Sequence, residues 1–241
     1  MLTIAREDDT LRNELFWFLN IMLVYASNGT AINMGTIQNT SDYGMFADSG
    51  ATIENRSGAF ISNSGENGMY AQNGSTILNQ GTINNTSIYG IRAVNNSIAV
   101  NEGLVQNTGN LGMYAESGSH IENKVGGVIK NSGESGMFVT DNGSTAVNMG
   151  TISNTGFEGK GIWAMNEAVA KNYGIISNTS DYGTMASKNA VIENYSTIQN
   201  TGNYGMWSQT GGISVNEVNG IIENTVAIVP WGSFITVKNP I

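Results

Sequence analysis

The chain has 241 residues, 40% of them hydrophobic and only 12% charged, with 31 Gly, 33 Asn, 2 Pro and no Cys. A net charge of −9 with ten Lys plus Arg argues against nucleic acid and against an anionic membrane surface as partners, because too few cations are present to neutralise phosphates. Without Cys there is no disulfide framework, thiolate metal site or cysteine nucleophile. A single histidine, His120, removes most metal and acid–base constellations, so no cofactor and no catalytic site are expected.

Residues 1–22 do not share the pattern that follows. The stretch from Thr10 to Tyr25 is mostly apolar, with Leu11, Leu15, Phe16, Trp17, Phe18 and Leu19. A secretion signal needs a basic start, whereas Arg6-Glu7-Asp8-Asp9 is net acidic. A membrane span needs about 20 apolar residues, and this run is shorter and carries Asn20. A helical cap starting at Asp8-Asp9-Thr10 suits the open end of a repeat domain. A non-native start upstream of a gene fragment is the alternative.

From residue 23 to 225 the chain repeats. Units open at Gly44-Met45-Phe46-Ala47, Gly68-Met69-Tyr70-Ala71, Gly90-Ile91-Arg92-Ala93, Gly112-Met113-Tyr114-Ala115 and Gly136-Met137-Phe138-Val139. Gly161-Ile162-Trp163-Ala164, Gly183-Thr184-Met185-Ala186 and Gly205-Met206-Trp207-Ser208 follow, and Leu23-Val24-Tyr25-Ala26 is a degenerate first start. Successive starts are 21 to 25 residues apart. Each unit holds three short pieces with period-two alternation: the Gly-Met-aromatic-Ala start, a piece such as Ile53-Glu54-Asn55, and a piece such as Ile83-Asn84-Asn85-Thr86. Gly, Asn and Ser separate them, which predicts strands and turns. Three such strands bury no face alone, but stacked unit on unit they do.

The expected fold is therefore all-β: a right-handed single-stranded parallel β-helix, or solenoid, of about nine three-strand coils, roughly 43 Å long at the strand spacing. Alternation predicts inward columns through Met45, Met69 and Met113, through Ala47, Ala71 and Ala93, and through Ile37, Ile61 and Ile83. Asparagine forms two columns. One runs from Asn33 and Asn55 to Asn216; the other runs from Asn39 and Asn63 to Asn224. Both are read as structural, through left-handed turns or stacked carboxamide ladders. Residues 226–241 lose both columns and are read as a C-terminal cap or the start of a further module.

The residue between Met and Ala makes a column of its own: Tyr25, Phe46, Tyr70, Arg92, Tyr114, Phe138, Trp163, Met185 and Trp207. With Met and Ala inward, it points outward as an aromatic stripe that can stack on sugars, anchor a protein or close an oligomer such as a trimer. The opposite parity would bury it. A second column, Tyr43, Tyr89, Tyr182 and Tyr204, sits just before the Gly and is expected to pack at a turn. His120 is expected on the surface. The acids Asp42 and Asp181, Glu66 and Glu134, and Glu54, Glu122 and Glu193 are read as several units apart, which leaves no acidic cleft for polysaccharide cleavage. The column holding Thr36, Ala59 or Phe60, Thr82, Leu104 and Val128 is too irregular for an ice-binding lattice.

The repeat, carried best by residues 68–86 and 112–132, resembles the passenger repeats of bacterial autotransporter adhesins of fusobacterial type. The resemblance implies a cell-surface location through an outer-membrane-anchored parent. It also implies attachment to a host glycoprotein or glycan, or to another bacterium. It supplies no individual binding residues. A polysaccharide-cleaving β-helix and an inert spacer are the alternatives.

Overall fold

The computed structural model describes residues 24–223, apart from Asn39, Asn63, Asn85, Asn131, Thr155, Phe157 and Asn200, together with the backbone of Thr236–Val237. The expected caps at 1–22 and in the tail lie outside the described residues, save that two-residue strand. Within the described residues the chain is an all-β parallel solenoid of nine coils with three sheets and no helix.

Every strand pairs in parallel with its equivalents one coil away. Face 1 has nine strands, from Val24–Ser27 to Tyr204–Gln209. Face 2 has ten, from Thr30–Asn33 to Ile213–Asn216, with Thr236–Val237 added beyond the last. Face 3 has nine, from Thr36–Gln38 to Ile221–Glu223. The register sets like on like: Met45 against Met69, Asn55 against Asn79, Ile61 against Ile83. Unit lengths of 21 to 25 residues are absorbed in the turns, so the columns stay aligned.

The core is a single stack between the faces. Met45, Met69, Ile91, Met113, Met137 and Ile162 are fully buried, as are Ala47 to Ala186 on face 1 and Ile37 to Ile198 on face 3. Face 2 contributes one inward residue per coil, a mixture of Ile and Ala from Ala31 to Ile192 that ends at Ser214. Small Ala and larger Met and Ile columns facing one another across the three sheets keep this narrow core dense. The corner entering face 1 is glycine for a steric reason. A Cβ on Gly112 would lie 2.5 Å from the Gly136 carbonyl oxygen and 2.5 Å from Ile129 Cγ2. Its missing side chain therefore faces the core, not the outer parity of the aromatics, and the chain bends there between Leu111 and Met113.

The first asparagine column is a ladder. Asn33, Asn55, Asn79, Asn101, Asn123, Asn148, Asn172, Asn194 and Asn216 are joined by eight successive Nδ2–H to Oδ1 bonds of 2.7–2.8 Å. The second Nδ2 hydrogen commonly goes to a carbonyl two residues on, as from Asn101 to Gly103 O and from Asn172 to Gly174 O. Those carbonyls fix which amide atom is nitrogen. All eight donors point toward the C-terminal end. The backbone donors at the same corner, such as Gln80 N to Asn55 O at 2.8 Å, point the other way, so side-chain and peptide dipoles run antiparallel and attract.

Candidate functional site

The aromatic column lies on the outer side of face 1, alternating with buried Met and Ala, and its members cover one another. Phe46 and Tyr70 stack at 5.1 Å between ring centroids, Tyr114 and Phe138 at 5.4 Å, Phe138 and Trp163 at 4.5 Å. Tyr25 caps Phe46 at 5.2 Å with a 44° tilt and is 36% exposed, whereas Tyr114 and Met185 are each 8% exposed. The strand spacing of about 4.8 Å is close to the ring-stacking distance, so a side chain on each coil becomes a rung without strain.

Arg92 fills one rung as a cation. Its guanidinium carbon lies 5.3 Å from the Tyr70 ring, 5.1 Å from Tyr89 and 5.5 Å from Tyr114. It bonds Glu116 at 2.9 Å, and Tyr114 donates its hydroxyl to the same carboxylate at 2.7 Å. Burial works against the Arg92 charge, but the Glu116 bond and the neighbouring Tyr70 hold its pKa above the usual value. Burial, then the Glu116 bond, pushes Tyr114 well above the ordinary phenol range. Lys160 lies over Trp163 at 5.2 Å, its ammonium donating to Glu158 O at 3.1 Å.

The second tyrosine column does not sit apart at a turn. Because the chain bends at the corner glycine, the residue before it returns to the outer wall beside the first column. Tyr43 stacks on Phe46 at 5.2 Å and on Tyr70 at 5.4 Å; Tyr89 stacks on Tyr114 at 5.3 Å; Tyr204 stacks on Trp207 at 5.1 Å and on Tyr182 at 5.7 Å. Face 1 thus carries a two-lane ladder whose second lane is interrupted: its four tyrosines bridge first-lane rungs, while Asn67, Leu111, Ser135 and Lys160 hold the same position on the coils between.

Carboxylates flank this ladder, and here the sequence expectation is corrected. Counted back from the corner glycine, Asp42 and Glu66 occupy one position on adjacent coils, joined by Glu66 N to Asp42 O at 2.9 Å. Glu134 and Asp181 continue the same column further along. The column mixes Asp with Glu, so matching Asp to Asp and Glu to Glu along the sequence does not reveal it. Burial, then Glu66 and Asp42, raises the Tyr43 pKa; burial, then Asp181, raises that of Tyr182. Asp42 and Glu66 stand exposed on a convex corner, not across a cleft.

Elsewhere the chemistry is sparse. His120 points outward from face 2, half-buried, with Nδ1 2.7 Å from Thr145 Oγ1; burial lowers its pKa against a smaller opposing effect of Glu122. No group of three metal-ligating side chains converges among the described residues. Phe60, not Ala59, continues the outward column of Thr36 and Thr82. Comparison with family models, curated proteins and solved structures gives no significant match.

Proposed function

We propose that the chain is a non-catalytic adhesive rod, the passenger segment of a bacterial cell-surface adhesin, and that face 1 meets the partner. The observation that carries this reading is the two-lane ladder with its carboxylate border, an outer surface that the core does not require. The style of the repeat supports the surface location. The stacking narrows the partner. Sugars bind aromatics through open ring faces, and here neighbouring rungs cover those faces. Ring edges, hydroxyls and carboxylates are what remains, which suits a protein surface carrying basic groups on a host cell or another bacterium.

The test is saturable binding of the purified chain to epithelial cells and to other bacteria, at two salt concentrations. A variant carrying Asp42→Asn, Glu66→Gln, Glu134→Gln and Asp181→Asn removes the border without touching the stack. Binding that weakens with salt and is lost in the variant supports the proposal. Equal binding by both chains moves the contact to another face. No binding by either chain overturns the adhesin and leaves a spacer.

A further inference from the structure

The residue after each ladder asparagine stands at the corner between faces 2 and 3. On two adjacent coils it is tyrosine, Tyr173 and Tyr195, with Met149 before the pair and Glu217 after it. Tyr195 N donates to Asn172 O at 2.8 Å, so the two backbones are in step. The rings stack at 4.6 Å between centroids with 14° between their planes. The tyrosine pairs of face 1 are wider, at 5.3–5.7 Å. All seven other tyrosines of the chain belong to the face 1 ladder. Among the described residues Tyr173 has no ring neighbour but Tyr195, and it is the most exposed tyrosine, at 46%. Glu193 shapes the pair. One of its carboxylate oxygens accepts the Tyr195 hydroxyl at 2.9 Å and the Lys171 ammonium at 3.0 Å. That ammonium lies 6.0 Å from the centre of the Tyr195 ring. The Glu193 bond, then burial, pushes the Tyr195 pKa up to about 12. The phenol therefore keeps its proton at neutral pH and has a carboxylate in place to receive it.

We infer that Tyr173 and Tyr195 form an oxidative modification site, where a haem peroxidase working with hydrogen peroxide joins the two rings as a dityrosine across the coil boundary. Each ring loses one electron and its hydroxyl proton, from Tyr195 to Glu193 and from Tyr173 to water. The unpaired spin of each phenoxyl radical is shared with the ring carbons next to the C–O carbon. One such carbon of each ring joins the other in a C–C bond. The hydrogen that each carried passes through water to the oxygen, which restores both hydroxyls. The net loss is two electrons and two protons, and these reduce one peroxide to two waters. Two features select this pair. A radical on face 1 lies against further rings, to which the vacancy passes, whereas Tyr173 and Tyr195 have only each other. The shared register also holds the two rings together within one chain, so coupling needs no collision between chains. The new bond closes a loop one coil long beside the Asn172–Asn194 rung. It opposes separation of these coils as a disulfide would, in a chain that has no cysteine. The inference rests on this corner alone and does not depend on the adhesive role.

The experiment is treatment of the full chain, in dilute solution, with a haem peroxidase and a limiting amount of hydrogen peroxide. The expected result is dityrosine fluorescence on single chains whose mass has fallen by two hydrogens. Proteolysis should give the peptides of Tyr173 and Tyr195 joined to each other, and the urea midpoint of the linked chain should rise. Tyr173→Phe and Tyr195→Phe, each with an unchanged circular dichroism spectrum, should lose the fluorescence, the mass change and the higher midpoint together. Tyr182→Phe, in the face 1 pair, should keep all three. Doubled chains, joined peptides from face 1, or a link that survives either of the first two variants overturn the inference. So does an unmodified chain in a tube where the same enzyme couples free tyrosine, or a linked chain with the midpoint of the parent.

Discussion

Two ladders run the length of this solenoid, and they differ in what they tolerate. The inner one, at the end of face 2, is asparagine on all nine coils. The outer one, on face 1, is Tyr, Phe, Tyr, Arg, Tyr, Phe, Trp, Met and Trp. An amide chain is directional: each rung must donate on one side and accept on the other, and no other side chain of that length does both. Stacking is not directional. Any flat or polarisable side chain completes a rung, a guanidinium included. Uniformity marks the ladder whose rungs cannot be exchanged, and variety marks the one whose rungs the fold leaves interchangeable.

Breaking the inner ladder should have the largest effect. Asn123→Ala strips the acceptor from Asn101 Nδ2 and the donor from Asn148 Oδ1 where neither reaches water. The expected loss is about 3–5 kcal/mol in urea unfolding. The outer ladder should yield less: Arg92→Ala removes a guanidinium from among three rings but leaves Glu116 bonded to Tyr114, costing about 1–2 kcal/mol. A comparable loss in both would end the distinction drawn above.

Alkaline pH sharpens it further. The Tyr114 pKa is raised in the folded chain, so its contribution is complete below the ordinary phenol value of 10.0 and is lost as the pH climbs through the folded value. Tyr114→Phe should cost about 1 kcal/mol at neutral pH and show a shallower fall in urea midpoint above pH 10 than the parent. The smallest effect is expected for Phe138→Tyr, within about 0.5 kcal/mol, because it keeps the ring between Tyr114 and Trp163.

Much of this was legible from spacing. The units, the inward Met, Ala and Ile columns and the outward aromatics follow from alternation, and an Asn repeating at fixed positions announces columns. What spacing did not separate is the two asparagine columns, since each lies two residues after an inward aliphatic. Among the described residues, only the first forms a continuous ladder. In the second, Asn107 and Asn178 are exposed with φ of 53° and 52°, so they serve the left-handed turn, and their amides donate off the column, to Asn84 Oδ1 at 2.8 Å and to Ser153 Oγ at 3.4 Å. Asn154, in the longest unit, is buried instead and donates to Lys160 O at 3.0 Å. The merging of the two aromatic lanes was hidden for another reason: parity assumes a straight strand, and this strand bends at its glycine.

The inter-coil hydrogen bonds and the amide ladder all lie along the rod axis. Tension applied between the two ends therefore loads one coil boundary after another, in series, instead of shearing many bonds together. Each released unit of 21 to 25 residues would lengthen the chain by roughly 67–80 Å, from a rise of about 4.8 Å to a contour near 3.4 Å per residue. In the adhesive role proposed above, the rod would be a line that lengthens in steps under flow, and optical-trap extension should show a staircase of low, nearly equal forces.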